Sequence, residues 1–436
     1  MIAFMSPIRQ YIKQFDRKDK LIFLVGLLTF VKFRLLGTFA AGEILVFLIT
    51  PFIPFRSFLH NGRMRTFATL ACLWLAGVLI ADIYNESSLE NSLKGAFNVV
   101  FFLCLIPFGY WMLSDKPERM LTFIAGAAIS RYLSYLLFGS GTEDSEIADI
   151  VWGYYSLQYL FLAAAAYMYY AGHRKAACIT IFAFGFYGLF NLSRYLFLIY
   201  TLDVIILLTI GKVNNSNKRA RRRALYRHSI PLVLCLCVAF GGVKYLYSSL
   251  AAKGVLGEYA QLKYKKQASS AIGIASGRID FFEAGYAIIA NPLMGYGSFA
   301  KDKDNVVNRF REKIGIEKSV NRGISGMDQY MPTHSHIFGS WIQAGILGMF
   351  LWLWVLVLMF KFLFRYLLYN PRMLLFNLVL ASMTIWDILF SPLGSRPITV
   401  FSIIFFITQY SQAYLNDKVH RQGNRYIHYN TVVQPG

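Results

Sequence analysis

Long apolar runs recur along the chain, each near the ~20 residues that cross a bilayer as a helix. Short polar connections separate them. The runs are continuous and do not alternate, which argues for helices and against a transmembrane barrel. They predict spans near 20–36, 38–55, 66–84, 93–113, 119–138, 151–171, 175–190, 194–211, 229–248, 337–362, 373–391 and 397–415. One interruption stands apart, the polar stretch from Ser249 to Ser335. The expected fold is an all-α polytopic membrane protein of about 12 transmembrane helices with one large external loop containing short helices. The chain then divides into 1–248 with nine helices, the loop 249–335, and 336–436 with three helices and a tail.

Composition supports this class. The chain has 436 residues, is 56% hydrophobic and only 15% charged, against about a quarter charged in soluble domains. Aromatic residues make up 17%, with many Tyr and Trp near the ends of runs, where interfacial belts lie. The first twenty residues are basic, with Arg9, Lys13, Arg17, Lys18 and Lys20, and no cleavage site follows a short apolar stretch. The first span is therefore expected to act as its own signal.

Charge orients the helices. Arg56, Arg63, Arg65, Lys116, Arg119, Arg174, Lys175, Lys361, Arg365 and Arg372 all fall on one side of the predicted topology. The run Lys218-Arg219-Ala220-Arg221-Arg222-Arg223 and the tail with Lys418, Arg421 and Arg425 join them. Glu86, Glu90 and the acidic turn Glu143-Asp144-Ser145-Glu146 fall on the other. The positive-inside rule then makes both termini cytoplasmic and the long loop external. It also accounts for most of the formal charge of +21. The 218–223 run reads as an anchor on anionic membrane lipid, and no nucleic-acid partner is expected.

Cys72, Cys104, Cys178, Cys235 and Cys237 all lie in hydrophobic runs, so no external disulfide framework is expected. Cys235 and Cys237 sit about 200° apart on a helix, poor geometry for a metal. No metal cluster and no cofactor is expected.

Charges inside spans are costly and usually functional. On this topology Lys32, Arg34, Glu43, Asp82, Arg131, Arg194, Lys244, Asp387 and Arg396 all fall near the external ends of their helices, and Asp203 alone sits deeper. Taken singly, each is an interfacial or structurally paired group. Together they predict a polar cavity at the outer leaflet that could hold a phosphate-bearing lipid.

The external loop holds twelve Lys/Arg and eight Asp/Glu, so it attracts anions. Ile279, Phe282, Tyr286 and Ile289 recur at helical spacing before Pro292. Ser276 is placed to cap that helix, with Arg278 in its first turn, where free N–H groups and a guanidinium make an anion site. Val306, Phe310 and Ile314, flanked by Arg309, Arg311 and Lys313, predict a short amphipathic helix on the membrane surface. His334 and His336 open the tenth span. A helix N-terminus disfavours imidazolium, so a histidine there is a neutral, competent general base.

These segments resemble the O-antigen ligase and O-antigen polymerase family. The resemblance rests on Ser276-Gly277-Arg278, Asn291-Pro292-Leu293, Gly295-Tyr296-Gly297, Thr333-His334-Ser335 and Gln343-Ala344-Gly345-Ile346-Leu347-Gly348. It covers about 150 residues, 191–350, and includes Ser193-Arg194 at a helix end. His334, rather than His336, has the family's spacing to Gly345 and Gly348. The chain departs where many members have His-Asn instead of His334-Ser335, an acidic residue instead of Gln343, and a Trp near Phe281 and Phe282.

The resemblance implies a metal-independent, inverting glycosyltransferase of the bacterial inner membrane, working at the periplasmic face. Its donor would be an oligosaccharide on undecaprenyl pyrophosphate. Its acceptor would be a second lipid-linked repeat for a polymerase or lipid A-core for a ligase, and a chain-length regulator is a further implied partner. His334 would be the base and Arg278 the group stabilising the leaving pyrophosphate, with Arg194, Arg131 and Arg396 as further phosphate ligands. His336 and Asp387 would be secondary. The Thr333-His334-Ser335-His336 form favours the polymerase, with ligase the alternative. A lipid or solute transporter is the rival class, and it calls for internal repeats that the halves do not show.

Overall fold

In the computed structural model the described residues are 15–34, 38–138, 146–190, 194–211, 279–302, 305–314, 330–333 and 335–432, with scattered residues between 242 and 268. The described chain is almost wholly helical. The N-terminal part contains α1 (Arg17–Leu27), a hairpin of β1 (Lys32–Arg34) and β2 (Thr38–Ala40), α2 (Ala41–Ile49) and α3 (Phe55–His60). Then come α4 (Gly62–Tyr84), α5 (Leu89–Leu113), α6 (Arg119–Phe138), α7 (Glu146–Tyr170), α8 (Arg174–Phe190) and α9 (Arg194–Gly211). The loop contributes α10 (Ile279–Ala290) and α11 (Val306–Lys313), and the chain ends with α12 (His336–Arg365), α13 (Leu374–Phe390) and α14 (Arg396–Val432).

Among the described residues, α4, α5, α6, α12, the 371–390 segment with α13, and 396–416 of α14 are long and apolar enough to cross a membrane. The chain has the character of an α-helical membrane protein. The expected ninth span at 229–248 lies almost wholly outside the described residues, as do the basic run 218–223 and the acidic positions 143–145.

Two expected spans take another form. The apolar run 20–36 is the 11-residue α1 followed by a turn and strand, and 38–55 is a strand, the nine-residue α2 and a 3-10 turn. The hairpin pairs Lys32 with Ala40 and Arg34 with Thr38. It persists because α2 is tied back to it. The Glu43 carboxylate accepts the Ala40 N–H at 2.8 Å, satisfying a donor that a helix start leaves open.

Polar caps set the other helix starts. Asn61 accepts the Arg63 and Met64 N–H groups, and Ser335 accepts that of Phe338. The helices then pack in series, α1 on α6, α6 on α7, α7 on α8, α8 on α9, α9 on α13, α13 on α12, α12 on α4 and α4 on α5. The apolar part of α14 runs through the middle and touches α4, α5, α6, α12 and α13. Residues 400–410 are buried on every side, with Phe401, Ile404, Phe405 and Phe406 fully so, and the buried Gln409 is paired with Asn377. Lipid is as apolar as leucine, so packing rather than water exclusion holds such helices together. Trp74, Phe102 and Trp352 meet edge-on at 5.4–6.0 Å between α4, α5 and α12, each contact contributing about 0.5–1.5 kcal/mol.

The loop helices depart from expectation in their facing. In α10 the buried residues are Glu283, Ala284, Ala287 and Ile288, while Phe282 and Ile289 of the expected apolar stripe point outward. The reason is α11. Arg311 forks onto the buried Glu283 at 2.7 and 3.2 Å, and Val306 and Val307 pack beneath Ala284 and Ala287 in a small separate core. The amphipathic face of α11 is thus covered by α10 rather than turned to lipid.

Candidate functional site

The ionisable residues at the loop end of the bundle gather around two polar openings. The larger is a cavity of about 470 Å³ between the hairpin, α2, α5, the start of α14 and Phe299 of the loop. Arg396, the first residue of α14, forms its floor. Its guanidinium forks onto Glu43 at 2.5 and 2.7 Å, donates to Asn98 Oδ1 and reaches the Thr38 carbonyl at 3.0 Å. Glu43 is 2% exposed and the Arg396 side chain 11%. A buried pair of this kind survives only with such full hydrogen bonding. Arg396 therefore clamps β2, α2, α5 and α14 together, and four of its donor contacts are spent on the protein.

Lys32 and Lys94 complete the wall. Lys94 pairs with Glu90 one helical turn away, and Asn98 follows one turn further, so residues 90, 94 and 98 form one polar stripe on α5. Lys32 makes no hydrogen bond or salt bridge to any described residue. Burial, and then the neighbouring Arg131 guanidinium, hold its pKa below the ordinary lysine value; Glu43 pulls it up and Arg396 again down.

Arg131 stands between the two openings. Its guanidinium lies 5.3 Å from the rings of both Phe30 and Tyr159, within reach of a cation–π contact. Beyond Tyr159 is a void of about 10 Å³ lined by His336, Thr384, Asp387, Thr399 and Ser402, near the size of one water molecule. Asp387 accepts a hydrogen bond from Ser391 and feels the Arg131 charge. His336 is 3% exposed, with its ring 4.6 Å from Trp352 and its Nδ1 without a hydrogen bond among the described residues. It is a buried residue of the bundle interior.

The glycine-rich segment after α10 docks into a break in α12. Gly345 has φ 61° and ψ −159°, which interrupts the helix. Its left-handed region suits glycine, and an added Cβ would run into the Leu293 carbonyl. Across the break, Tyr296 N–H donates to Ile342 O at 2.6 Å, Ile346 N–H to Leu293 O at 3.2 Å, and Trp341 Nε1 to Pro292 O at 2.6 Å. Gly295, at φ 70°, leaves room for no side chain, since a Cβ would stand 2.6 Å from Gly345 N. Asp82 fixes the other end of the segment, accepting Ser298 N–H at 2.5 Å and its hydroxyl at 2.8 Å. Residues 300 and 331 then pair, and Ser335 donates to Ile388 O at 3.0 Å. The start of α12 is thereby pinned to the end of α13.

Arg278 and His334, the expected leaving-group and base residues, lie outside the described residues, as does the side chain of Arg194, the first residue of α9. Of the other expected site residues, Arg396 and Arg131 flank the large cavity, and His336 and Asp387 share the small void. Sequence reasoning passed over Lys94 and Asn98. Their signal was the fourfold spacing from Glu90 at the start of an apolar run. Among the described residues no three His, Cys, Asp or Glu side chains gather as metal ligands would. No protein-family profile, curated protein or solved structure matches the chain.

Proposed function

We propose that the protein is a membrane glycosyltransferase of the O-antigen polymerase and ligase type, moving a glycan from undecaprenyl pyrophosphate to an acceptor hydroxyl at the periplasmic face of the bacterial inner membrane. The observation that carries the reading is the interlock of Asn291–Gly297 with the Gly345 break. Two halves of the sequence pattern, some fifty residues apart, form one structural unit beside the start of α12. That unit lies at the same end of the bundle as the cationic cavity lined by Lys32, Lys94 and Arg396, where a positive field favours approach of an anionic lipid-linked donor.

In this mechanism His334 takes the proton from the acceptor hydroxyl, and the oxygen attacks the anomeric carbon from the face opposite the pyrophosphate. The C–O bond to pyrophosphate breaks with inversion, and Arg278 and Arg194 stabilise the departing charge. The acceptor is another lipid-linked repeat in the polymerase reading and lipid A-core in the ligase reading. Deleting the gene and running the surface lipopolysaccharide on a gel separates these. Single-repeat lipopolysaccharide marks the polymerase, bare core the ligase, and an unchanged ladder removes both.

A further inference from the structure

The cavity between the hairpin, α5 and α14 has features that a bare phosphate does not call for. Its volume of about 470 Å³ falls within the ~300–1,000 Å³ range of small-molecule sites. Three cations face it, against one carboxylate that Arg396 already consumes. Among the described residues Lys94 shares its charge with Glu90 alone, whose side chain is 67% exposed, and Lys32 has no salt bridge. Cations crowded this way await an anion.

Neutral groups face the same space. The Asn98 Oδ1 serves Arg396, which leaves its amide N–H groups to donate, and the Ser395 hydroxyl has no partner among the described residues. Two aromatic rings, Phe30 and Phe299, complete the lining. Phe299 has φ 50°, a left-handed conformation rare for a bulky residue and typical of functional positions. Asp82 holds the preceding Ser298 by two hydrogen bonds, and so holds Phe299 in place. Aromatic rings pack on the C–H faces of sugars, while hydroxyl and amide groups address their polar edges.

We propose that this cavity binds an acidic sugar, a pyranose ring bearing a carboxylate, with Lys32 and Lys94 on the carboxylate, Asn98 and Ser395 on ring hydroxyls and Phe299 against a ring face. The inference rests on the transferase reading only for the source of the sugar, which is the glycan being moved. It makes the glycan acidic and makes these residues determinants of specificity.

The test uses full-length protein in nanodiscs and ligand-detected NMR. The probes are a tetrasaccharide of alternating glucuronate and N-acetylglucosamine, its carboxyl-reduced neutral counterpart, and inorganic pyrophosphate. The acidic tetrasaccharide is expected to bind at least about tenfold more tightly than the neutral one, the scale of a charge-assisted hydrogen bond. Lys32→Gln and Lys94→Gln should each erase about that factor and leave neutral-sugar binding unchanged, with thermal unfolding showing both variants folded. Equal binding of acidic and neutral sugars overturns the proposal, as does no binding of either. Displacement by equimolar pyrophosphate also overturns it, because the site is then one for phosphate headgroups. The binding readout is independent of the deletion phenotype. Loss of acidic-sugar binding with an altered lipopolysaccharide ladder sinks this inference alone, and the reverse sinks the transferase reading alone.

Discussion

The two ends of the helix bundle carry clusters of similar charge density built on opposite plans. At the end away from the loop, Arg119 at the start of α6 is 3% exposed. It reaches Asp16 at 2.6 Å, Asp115 at 2.6 Å and Asp19 at 3.2 Å, and it donates to Met112 O at 2.8 Å. Lys116 pairs with Asp19 at 2.9 Å, and Lys18 with Asp115 at 3.4 Å. Three cations meet three carboxylates, and a capping box between Asp16 and Asp19 starts α1 from the same knot. At the loop end, Lys32, Lys94 and Arg396 line a cavity whose one lining carboxylate, Glu43, is already held by Arg396. A balanced knot holds helices together, whereas an unbalanced one leaves charge for something else to satisfy.

The comparison breaks most readily at Arg119. Arg119→Met leaves the fully buried Asp19 with Lys116 as its one cation among the described residues, beside the Asp16 N–H. Thermal unfolding in detergent should show a loss of about 3 kcal/mol, the lower end of the range for breaking a buried pair, because Lys116 still reaches that carboxylate. Next in size is Gly345→Ala. A side chain at φ 61° against the Leu293 carbonyl should cost about 1–3 kcal/mol, and limited proteolysis should then cut more readily between 291 and 301.

Acid should weaken the balanced end. Burial raises the Asp16 and Asp115 carboxyls, but hydrogen bonds and the Arg119 charge outweigh it and hold both below the ordinary 3.8. A carboxylate lowered in the folded state contributes stability above its unfolded pKa and loses it as pH falls through the folded value. Both side chains are half exposed, so each contributes under about 1 kcal/mol. The loss should appear as a fall in unfolding temperature below about pH 4 that is smaller in Asp115→Asn, where only the Asp16 contribution remains. The smallest effect has the opposite sign. The folded pKa of Lys32 is lowered, so its charge opposes folding at neutral pH. The Lys32 side chain is exposed to the cavity, so solvent screens the effect, and Lys32→Gln should raise ligand-free stability by well under about 0.5 kcal/mol, while the matching change at the balanced end, Lys116→Gln, should lower it.

Much of this architecture was legible in the chain because span length and capping are local. Helices α4 to α6, α12 and α13 begin and end within a few residues of the expected spans, and α14 begins where expected but runs on to Val432, past the expected end at 415. The hairpin was not legible. Leu21–Leu36 is apolar enough to pass for a span, and only the tertiary tie of Glu43 to Arg396 turns it back on itself. The facing of α10 was hidden for the same reason, since Arg311 lies 28 residues from the Glu283 it neutralises. At the site, the shared level of Arg131, Asp387 and Arg396 followed from helix direction alone. A polar cavity at that level was expected as well, but its lining by Lys94 and Asn98 was not, because they look like any polar residues at an interface until Arg396 is placed beside them.

The most direct test of the central claim is transfer by purified full-length protein in nanodiscs, using lipid-linked glycan extracted from its host. The account predicts that wild-type protein releases undecaprenyl pyrophosphate and attaches its glycan to the acceptor, while His334→Ala, folded and still binding donor, does neither. Release at the wild-type rate by His334→Ala, or no release by the wild type, would contradict it.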